Sequence, residues 1–267
     1  MYKLIALDMD GTLLSSDKTI SKANLEAIQK AKAKGVKIVL ATGRPIKGIK
    51  KYLKQLNLLE EGDYAITYNG SVAQSTKNED IISEIILSTD DIDRLYSLSK
   101  DLGVNIHAYT NNDCITPKTS KYTLFEAELN SIPIKVTDFN KLPRNTPIIK
   151  IMFIDEEDIL DRAIAKLPKE LYDKYTIVKS APYFLEFINK KVNKGVSIRI
   201  LAQKLGISMD DVICIGDQEN DKHMVDYAGL GIAMENATDE LKEVANFVTK
   251  SNDEDGVAYA INKFILD

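Results

Sequence analysis

The sequence has few or none of several residue types that mark particular classes of protein. It contains no tryptophan and only two cysteines, Cys114 and Cys214, in 267 residues. Two widely spaced cysteines do not make a disulfide framework, and we expect both to be free. No apolar run approaches the roughly 18 residues of a transmembrane helix. Met1–Lys3 lead at once into an apolar run and leave no room for a signal peptide, so we expect a cytoplasmic protein.

The charge balance excludes a further class of partner. Lys and Arg number 35 and Asp and Glu number 40, which gives a formal net charge of −5. The two signs are interleaved, and no basic stretch resembles a nucleic-acid-binding surface. A hydrophobic content of 44% and a charged content of 28% are ordinary for a globular protein. We therefore expect one or two domains, as a monomer or homodimer, that bind neither nucleic acid nor a membrane.

The first 80 residues alternate between strand and helix patterns. Apolar runs at Lys3–Leu7, Lys37–Ala41 and Tyr64–Tyr68 are typical of buried parallel strands. Between the first two runs, Ser21 is a candidate N-cap for a helix that ends before Gly35. This order predicts a parallel sheet with right-handed crossovers.

The pattern changes in the middle of the chain and returns after about residue 195. The middle region predicts two helices and five more scattered strands: helices Asp90–Leu102 and Glu157–Lys166, strands Ile85–Leu87, Asn105–Tyr109, Ile148–Ile154, Thr176–Lys179 and Phe184–Ile188. We therefore predict an α/β fold with a Rossmann-like parallel-sheet core. The core would comprise residues 1–83 and 190–267, and residues 84–189 would form an inserted α+β domain.

The first predicted strand runs directly into Asp8-Met9-Asp10-Gly11-Thr12. A solvated acidic turn is one explanation of this motif, and a phosphoryl-transfer site with one nucleophilic Asp is another. A calcium loop of the EF-hand kind is excluded, because Leu13 and Thr19 stand where such a loop needs Gly and Glu. The motif alone does not decide between the first two explanations.

Three further polar signals lie at the ends of predicted core strands or at the start of a core helix. They are Thr42-Gly43-Arg44, Lys194, and Gly216-Asp217 with Asn220-Asp221. Each has an ordinary explanation on its own: a helix cap, a solvated lysine or an acidic loop. Parallel strands, however, deliver such residues to one edge of a sheet, where α/β folds place their chemistry. Four such coincidences favour a common site.

With these four motifs in this order, the chain resembles the phosphatases of the haloacid dehalogenase superfamily. The position and size of the insert resemble the Cof-type subfamily, which carries an α/β cap between the second and third motifs. The resemblance implies a Mg²⁺-dependent phosphatase of small phosphorylated metabolites, in particular sugar phosphates. The alternatives are a phosphotransferase or phosphomutase with the same intermediate, and a non-catalytic regulator that binds a phosphometabolite.

Charge and the resemblance together suggest a role for each motif residue. Asp8 would be the nucleophile and Asp10 the general acid and base, and the negative charge of Asp8 should help Asp10 to hold its proton. The other expected roles are phosphate binding by Thr42, Gly43, Lys194 and Asn220, and Mg²⁺ binding by Asp8, Asp10 through its carbonyl, Asp217 and Asp221. For Thr42 we expect both the hydroxyl and the backbone N–H to contribute. Candidate contacts to the rest of the substrate are Arg44, Asn69, His107, Tyr109, Asn111, Tyr183 and Glu186.

Overall fold

The apolar runs near the N-terminus form strands whose side chains are mostly buried. In a computed structural model that describes residues 2–130 and 132–267, the first strand, Leu4–Leu7, is fully buried. The elements of this part of the chain are strands β1 (Leu4–Leu7), β2 (Lys37–Ala41), β3 (Tyr64–Thr67), β4 (Val72–Ser75) and β5 (Ile81–Glu84), and helices α1 (Lys22–Ala33) and α2 (Ile46–Gln55). Helix α1 begins where the Ser21 side chain accepts a hydrogen bond from the N–H of Asn24, so the predicted N-cap is confirmed.

The middle of the chain forms a sheet of its own with helices packed on it. Its elements are α3 (Thr89–Leu102), β6 (Asn105–Tyr109), β7 (Cys114–Thr116), α4 (Lys121–Asn130), β8 (Ile134–Val136), β9 (Lys150–Ile154), α5 (Glu157–Ile164), α6 (Leu171–Lys174), β10 (Tyr175–Ala181) and β11 (Phe184–Asn189). The six strands lie in the order β10-β11-β9-β6-β7-β8. All neighbours are antiparallel except β7 and β8, which is typical of an α+β arrangement.

The last part of the chain returns to the first sheet. Its elements are α7 (Lys194–Lys204), β12 (Val212–Gly216), α8 (Lys222–Tyr227), β13 (Leu230–Ala233), α9 (Asp239–Lys242), β14 (Phe247–Val248) and α10 (Gly256–Ile261). The eight-stranded order is β14-β13-β12-β1-β2-β3-β4-β5. The strands from β14 to β3 are parallel, with Leu4 opposite Val212 on one side and Lys37 on the other. The predicted α/β fold with a parallel-sheet core is confirmed.

The chain divides into two compact units. Unit 1 comprises Met1–Glu84 and Asn193–Asp267, and unit 2 comprises Ile85–Val192. Each has its own hydrophobic core. Among the described residues, no helix combines the length and apolar character needed to cross a bilayer.

Several elements differ from the sequence-based expectation, and the short elements β7, β8 and α6 of the middle region were not predicted. The predicted strand Ile85–Leu87 is wrong, because the strand lies at Ile81–Glu84 and Leu87 makes only an isolated bridge to Ile148. The core sheet also ends in an antiparallel pair, β4 and β5, that the sequence analysis did not predict. Helix α4 was not predicted either. It has apolar side chains on both its buried and its exposed sides, and Leu124 and Leu129 are more than half exposed.

Candidate active site

Asp8 follows directly after β1 and meets a buried lysine from a distant part of the chain. The Lys194 ammonium donates to Asp8 Oδ1 at 2.5 Å and to Asp221 Oδ1 at 2.6 Å. Lys194 is completely buried and is the first residue of α7, whose N-terminus is capped by the Asn193 side chain. Parallel pairing of β1 with β12 brings these residues together, because both strands end at the same edge of the sheet.

One ammonium shared by two carboxylates sets the electrostatics of this cluster. Burial raises the pKa of Asp8 to about 8, and the negative charges of Asp221 and Asp217 add to the effect while Lys194 opposes it. Burial lowers the pKa of Lys194, but its two carboxylate partners outweigh burial and raise that pKa above its ordinary value. Lys194 therefore stays protonated, and the cluster carries an excess of negative charge whenever the carboxylates are ionised.

Asp217 is held by two donors that approach its two carboxylate oxygens. The Thr12 hydroxyl donates to Asp217 Oδ1 at 2.7 Å, and the Gln218 amide donates to Oδ2 at 3.0 Å. Gly11 makes room for the carboxylate, since a Cβ on it would lie 2.3 Å from Asp217 Oδ2. Burial raises the pKa of Asp217, and the hydrogen bonds from Thr12 and Gln218 oppose that shift.

Besides its ion pair with Lys194, Asp221 orients the backbone of two neighbouring residues. Its Oδ2 accepts from the backbone N–H groups of Asp217 at 2.9 Å and Gln218 at 3.1 Å. The two aspartates do not lie on consecutive turns of one helix, because Asp217 precedes the short helical turn Glu219–Asp221. Close approach also explains Gly216, where a Cβ would lie 2.5 Å from the Cβ of Asp221.

Asp10 lies among cations. Arg44 donates to it through two nitrogens, Nε to Oδ2 at 2.8 Å and Nη2 to Oδ1 at 2.6 Å, and Lys18 Nζ donates to Oδ1 at 2.9 Å. Burial acts to raise the pKa of Asp10, but the hydrogen bonds and charges of Arg44 and Lys18 outweigh it and hold that pKa below its usual range. The expectation that the charge of Asp8 would favour a protonated Asp10 is therefore wrong for this arrangement.

The loops after β2, β3 and β12 bring Thr42, Gly43, Asn69 and Asn220 together. The Asn220 amide donates to Asn69 Oδ1 at 3.0 Å, and a Cβ on Gly43 would lie 3.1 Å from the same oxygen. The Thr42 hydroxyl accepts from the N–H of Arg44 at 3.2 Å. The N–H of Thr42 itself donates to Ile66 O at 2.9 Å, so the expectation that this N–H binds phosphate is wrong.

The donor set fits a hard divalent cation. Asp8, Asp217 and Asp221 are all buried, and each offers a carboxylate oxygen within 4.8 Å of the others. Three carboxylates against one ammonium leave a net charge of about −2 if all are ionised, which is costly to bury without a counter-ion. Oxygen donors of this kind suit Mg²⁺. Asp8 and Asp217 fit the ion best, because Asp221 already accepts three hydrogen bonds.

The candidates in unit 2 occupy two different environments. His107 and Tyr109 are buried: His107 Nε2 lies 3.1 Å from Met152 Sδ, and the Tyr109 hydroxyl donates to Glu126 at 2.9 Å. Burial, with a smaller effect of Lys150, lowers the pKa of His107 to about 3. These contacts lie inside the unit, which speaks against substrate contact by either side chain.

The remaining unit 2 candidates are less deeply buried. Glu186 forms an ion pair with Lys150 at 3.2 Å and accepts from the Ser180 hydroxyl at 2.7 Å. Tyr183 stacks on Tyr122 with ring centroids 4.7 Å apart. Asn111 has a buried side-chain oxygen without a hydrogen-bond partner. Tyr183 lines a surface cavity of about 310 Å³ together with Lys121, Tyr122 and Phe125.

Three residues of the site were not predicted from the sequence as site residues: Thr12, Lys18 and Gln218. Each donates a hydrogen bond to the carboxylate of another residue. Neither spacing nor residue type identifies which carboxylate that is. Thr12 lies within the first motif and Gln218 directly after Asp217, and this proximity was the one sequence feature that pointed to them. Lys18 lies eight residues beyond Asp10, in a turn whose path only the structure reveals.

The fold and this geometry define an α/β protein with a buried acidic and lysine-containing centre at the carboxyl edge of a parallel sheet. The family model described as haloacid dehalogenase-like hydrolase matches residues 5–261. The chain belongs to the haloacid dehalogenase-like hydrolase family, and it is an enzyme of the hydrolase class.

Curated relatives and solved structures agree with this assignment along the whole chain. One relative, YxeH of Bacillus subtilis (strain 168), carries the provisional name of a phosphatase. It is 46% identical to this chain, and the match covers 100% of this chain and 99% of its own length. A haloacid dehalogenase-like hydrolase from Bacteroides thetaiotaomicron has a TM-score of 0.86 at 34% identity, covering 99% of this chain and 100% of that one. A HAD subclass IIB sugar phosphatase has a TM-score of 0.76 at 25% identity, covering 98% of both chains.

Proposed function

We propose that this protein is a Mg²⁺-dependent phosphatase that hydrolyses small phosphorylated metabolites through a phosphorylated Asp8. The observation that carries the proposal is the buried cluster of Asp8, Asp217 and Asp221 around Lys194. A carboxylate held beside a fixed ammonium and a cation-binding set can approach a phosphate dianion, which would otherwise repel it.

The first half of the reaction forms the phosphorylated enzyme. A carboxylate oxygen of Asp8 bonds to phosphorus as the bond from phosphorus to the ester oxygen breaks. The ester oxygen leaves as an alkoxide and takes a proton from the Asp10 carboxyl. Arg44 and Lys18 disfavour a protonated Asp10, and the negative charge of a phosphoryl group nearby would oppose them.

The second half returns Asp8 to its free form. Asp10, now a carboxylate, takes a proton from a water molecule as that water attacks phosphorus. The bond between phosphorus and the Asp8 oxygen breaks, and inorganic phosphate is released. Lys194, the Thr42 hydroxyl and the Asn220 amide are the proposed donors to the phosphoryl oxygens.

Asp8, the Asp10 carbonyl and Asp217 would hold Mg²⁺, with Asp221 supporting Asp217 and Lys194. When bound, the ion supplies charge neutralisation for the phosphoryl oxygens. We propose residues 1–83 and 190–267 as the catalytic core and residues 84–189 as the cap that selects the leaving group. The sugar-phosphate class is supported by the sugar phosphatase among the structural neighbours.

The test is a panel of phosphate monoesters assayed with and without Mg²⁺, using the wild type, Asp8→Asn and Asp17→Asn. We expect Mg²⁺-dependent release of inorganic phosphate and a loss of at least about 1000-fold in Asp8→Asn. The exposed Asp17 makes Asp17→Asn a matched control in the same loop, and it should keep full activity. Circular dichroism should show both variants folded.

Two outcomes of this experiment would decide against the proposal. Wild-type rates in Asp8→Asn would exclude Asp8 as the nucleophile. Transfer of phosphate to a sugar hydroxyl, with no inorganic phosphate released, would identify the phosphotransferase instead.

Borohydride reduction during turnover should convert phosphorylated Asp8 into homoserine, which mass spectrometry detects.

A further inference from the structure

The carboxylate of Asp10 has two oxygens with different surroundings. Oδ1 accepts from both Lys18 Nζ at 2.9 Å and Arg44 Nη2 at 2.6 Å. Among the residues that the structure describes, Oδ2 accepts from Arg44 Nε alone, at 2.8 Å. A carboxylate oxygen has about two acceptor positions. Lys18 and Arg44 therefore fill those of Oδ1, and one position on Oδ2 stays available.

The rest of the structure holds Lys18 in place. Its backbone is left-handed, with φ of 58°, and its N–H donates to Ser15 O at 2.9 Å. The hydroxyl of the buried Tyr52 on α2 donates to Lys18 O at 3.1 Å. Arg44 lies over the Tyr52 ring, 5.9 Å from its centroid. Tyr52 thus contacts the backbone of Lys18 and the guanidinium of Arg44, the two residues that hold Asp10.

We propose that Lys18 is a positioning residue that occupies Asp10 Oδ1 and thereby reserves Oδ2 for proton transfer. This inference rests on the proposed function, in which Asp10 gives a proton to the leaving oxygen and later takes one from water. Without Lys18, each Asp10 oxygen accepts one hydrogen bond from Arg44 and has one free position, so the proton is no longer directed to Oδ2. Misplacement of a catalytic group by about 1 Å can cost about 100-fold in rate.

The leaving group provides the readout. An alkyl phosphate needs protonation of its leaving oxygen, whereas p-nitrophenolate is stable enough to leave without it. Both esters share the second half of the reaction, so the readout is kcat/KM, which reports the steps up to the phosphorylated enzyme. We expect Lys18→Met to lower kcat/KM by about 10- to 100-fold for a hexose 6-phosphate and by less than about threefold for p-nitrophenyl phosphate. Lys18→Arg, which keeps a donor, should restore most of the loss. Tyr52→Phe should, like Lys18→Met, slow hydrolysis of the hexose 6-phosphate more than that of p-nitrophenyl phosphate.

Lys22→Met is the matched control, because the Lys22 side chain is 90% exposed and its ion pair is with Glu26, at 3.8 Å. It should leave both rates unchanged. Equal losses on the two esters in Lys18→Met, or no loss on either, would overturn the positioning role. If the wild type hydrolyses neither ester, the proposed function fails and this inference fails with it. If the wild type hydrolyses both esters and the expected difference between them in Lys18→Met is missing, this inference alone fails.

Discussion

Thr12 is a single residue whose hydroxyl orients a proposed metal ligand. It is completely buried, and its hydroxyl donates the 2.7 Å hydrogen bond to Asp217 Oδ1. Groups of this kind typically contribute a factor of 10 to 100 in metal affinity or activity. We expect Thr12→Val, which keeps the shape and loses the donor, to raise the Mg²⁺ concentration for half-maximal activity by about 10-fold. Thr12→Ser keeps the hydroxyl and should behave like the wild type; an unchanged Mg²⁺ requirement in Thr12→Val would contradict the role.

The same scale shows what the sequence could and could not predict about the site. Asp8, Asp217 and Asp221 meet because each follows a parallel strand of the core sheet, and the apolar pattern predicts those strands. Lys194 joins them from the start of α7. The ion pair between Lys18 and Asp10 does not follow from strand order. It depends on how a surface turn folds back to place Lys18, and on the reach of two long side chains. The expectation for the pKa of Asp10 was wrong because it considered only the charge of Asp8, and not those of Arg44 and Lys18.

Among the elements, the loop between β1 and α1 offers a test of how tightly the site is packed. Gly11 has φ of 85°, and so does Gly35, which follows α1. A Cβ on Gly35 would meet nothing within 4 Å, whereas a Cβ on Gly11 would collide with Asp217. We expect both Gly→Ala variants to lose about 1–2 kcal/mol of unfolding free energy from the left-handed backbone. Only Gly11→Ala should also lose most of its activity.

Urea unfolding and Mg²⁺-dependent turnover, measured side by side, check this prediction. Full activity in Gly11→Ala would show that the loop and Asp217 can move apart without cost. An equal loss of activity in Gly35→Ala would show that backbone strain alone, and not the collision with Asp217, is responsible.

The elements also show why some parts of the fold were predicted and others were not. Strand β2 matches its predicted bounds, because the continuous apolar run after Lys37 indicates it clearly. Strand β6 also matches its predicted bounds, although Asn105 and His107 interrupt its apolar residues. The hairpin of β4 and β5 lies at a sheet edge with a partly exposed second strand, so it lacks that pattern. Helix α4 lacks a single apolar face, and its period is therefore not visible in the sequence.

At the scale of the whole molecule, the two units carry buried groups that respond to pH in opposite directions. In unit 1 without metal, the pKa of Asp8 is about 8 in the folded state against an ordinary 3.8. Between these values the folded state holds more protons, so the contribution of Asp8 to stability falls as pH rises. In unit 2, the pKa of His107 is about 3 against an ordinary 6.5. There the unfolded state holds more protons, so its contribution to stability falls as pH falls.

We therefore expect unit 2 to lose stability below about pH 6.5, by at most about 1.4 kcal/mol for each pH unit from His107. Hydrogen exchange of peptides from β6 and β9, corrected for the intrinsic pH dependence of exchange, should report this loss between pH 7 and pH 5. His107→Gln removes the titrating ring and should flatten the dependence in β6 and β9 while leaving peptides from β1 and β12 unchanged. Because Mg²⁺ competes with the proton for Asp8, adding it should change the exchange of β1 and β12 alone. Identical pH profiles for wild type and His107→Gln in unit 2 would show that the buried imidazole does not couple folding to protonation.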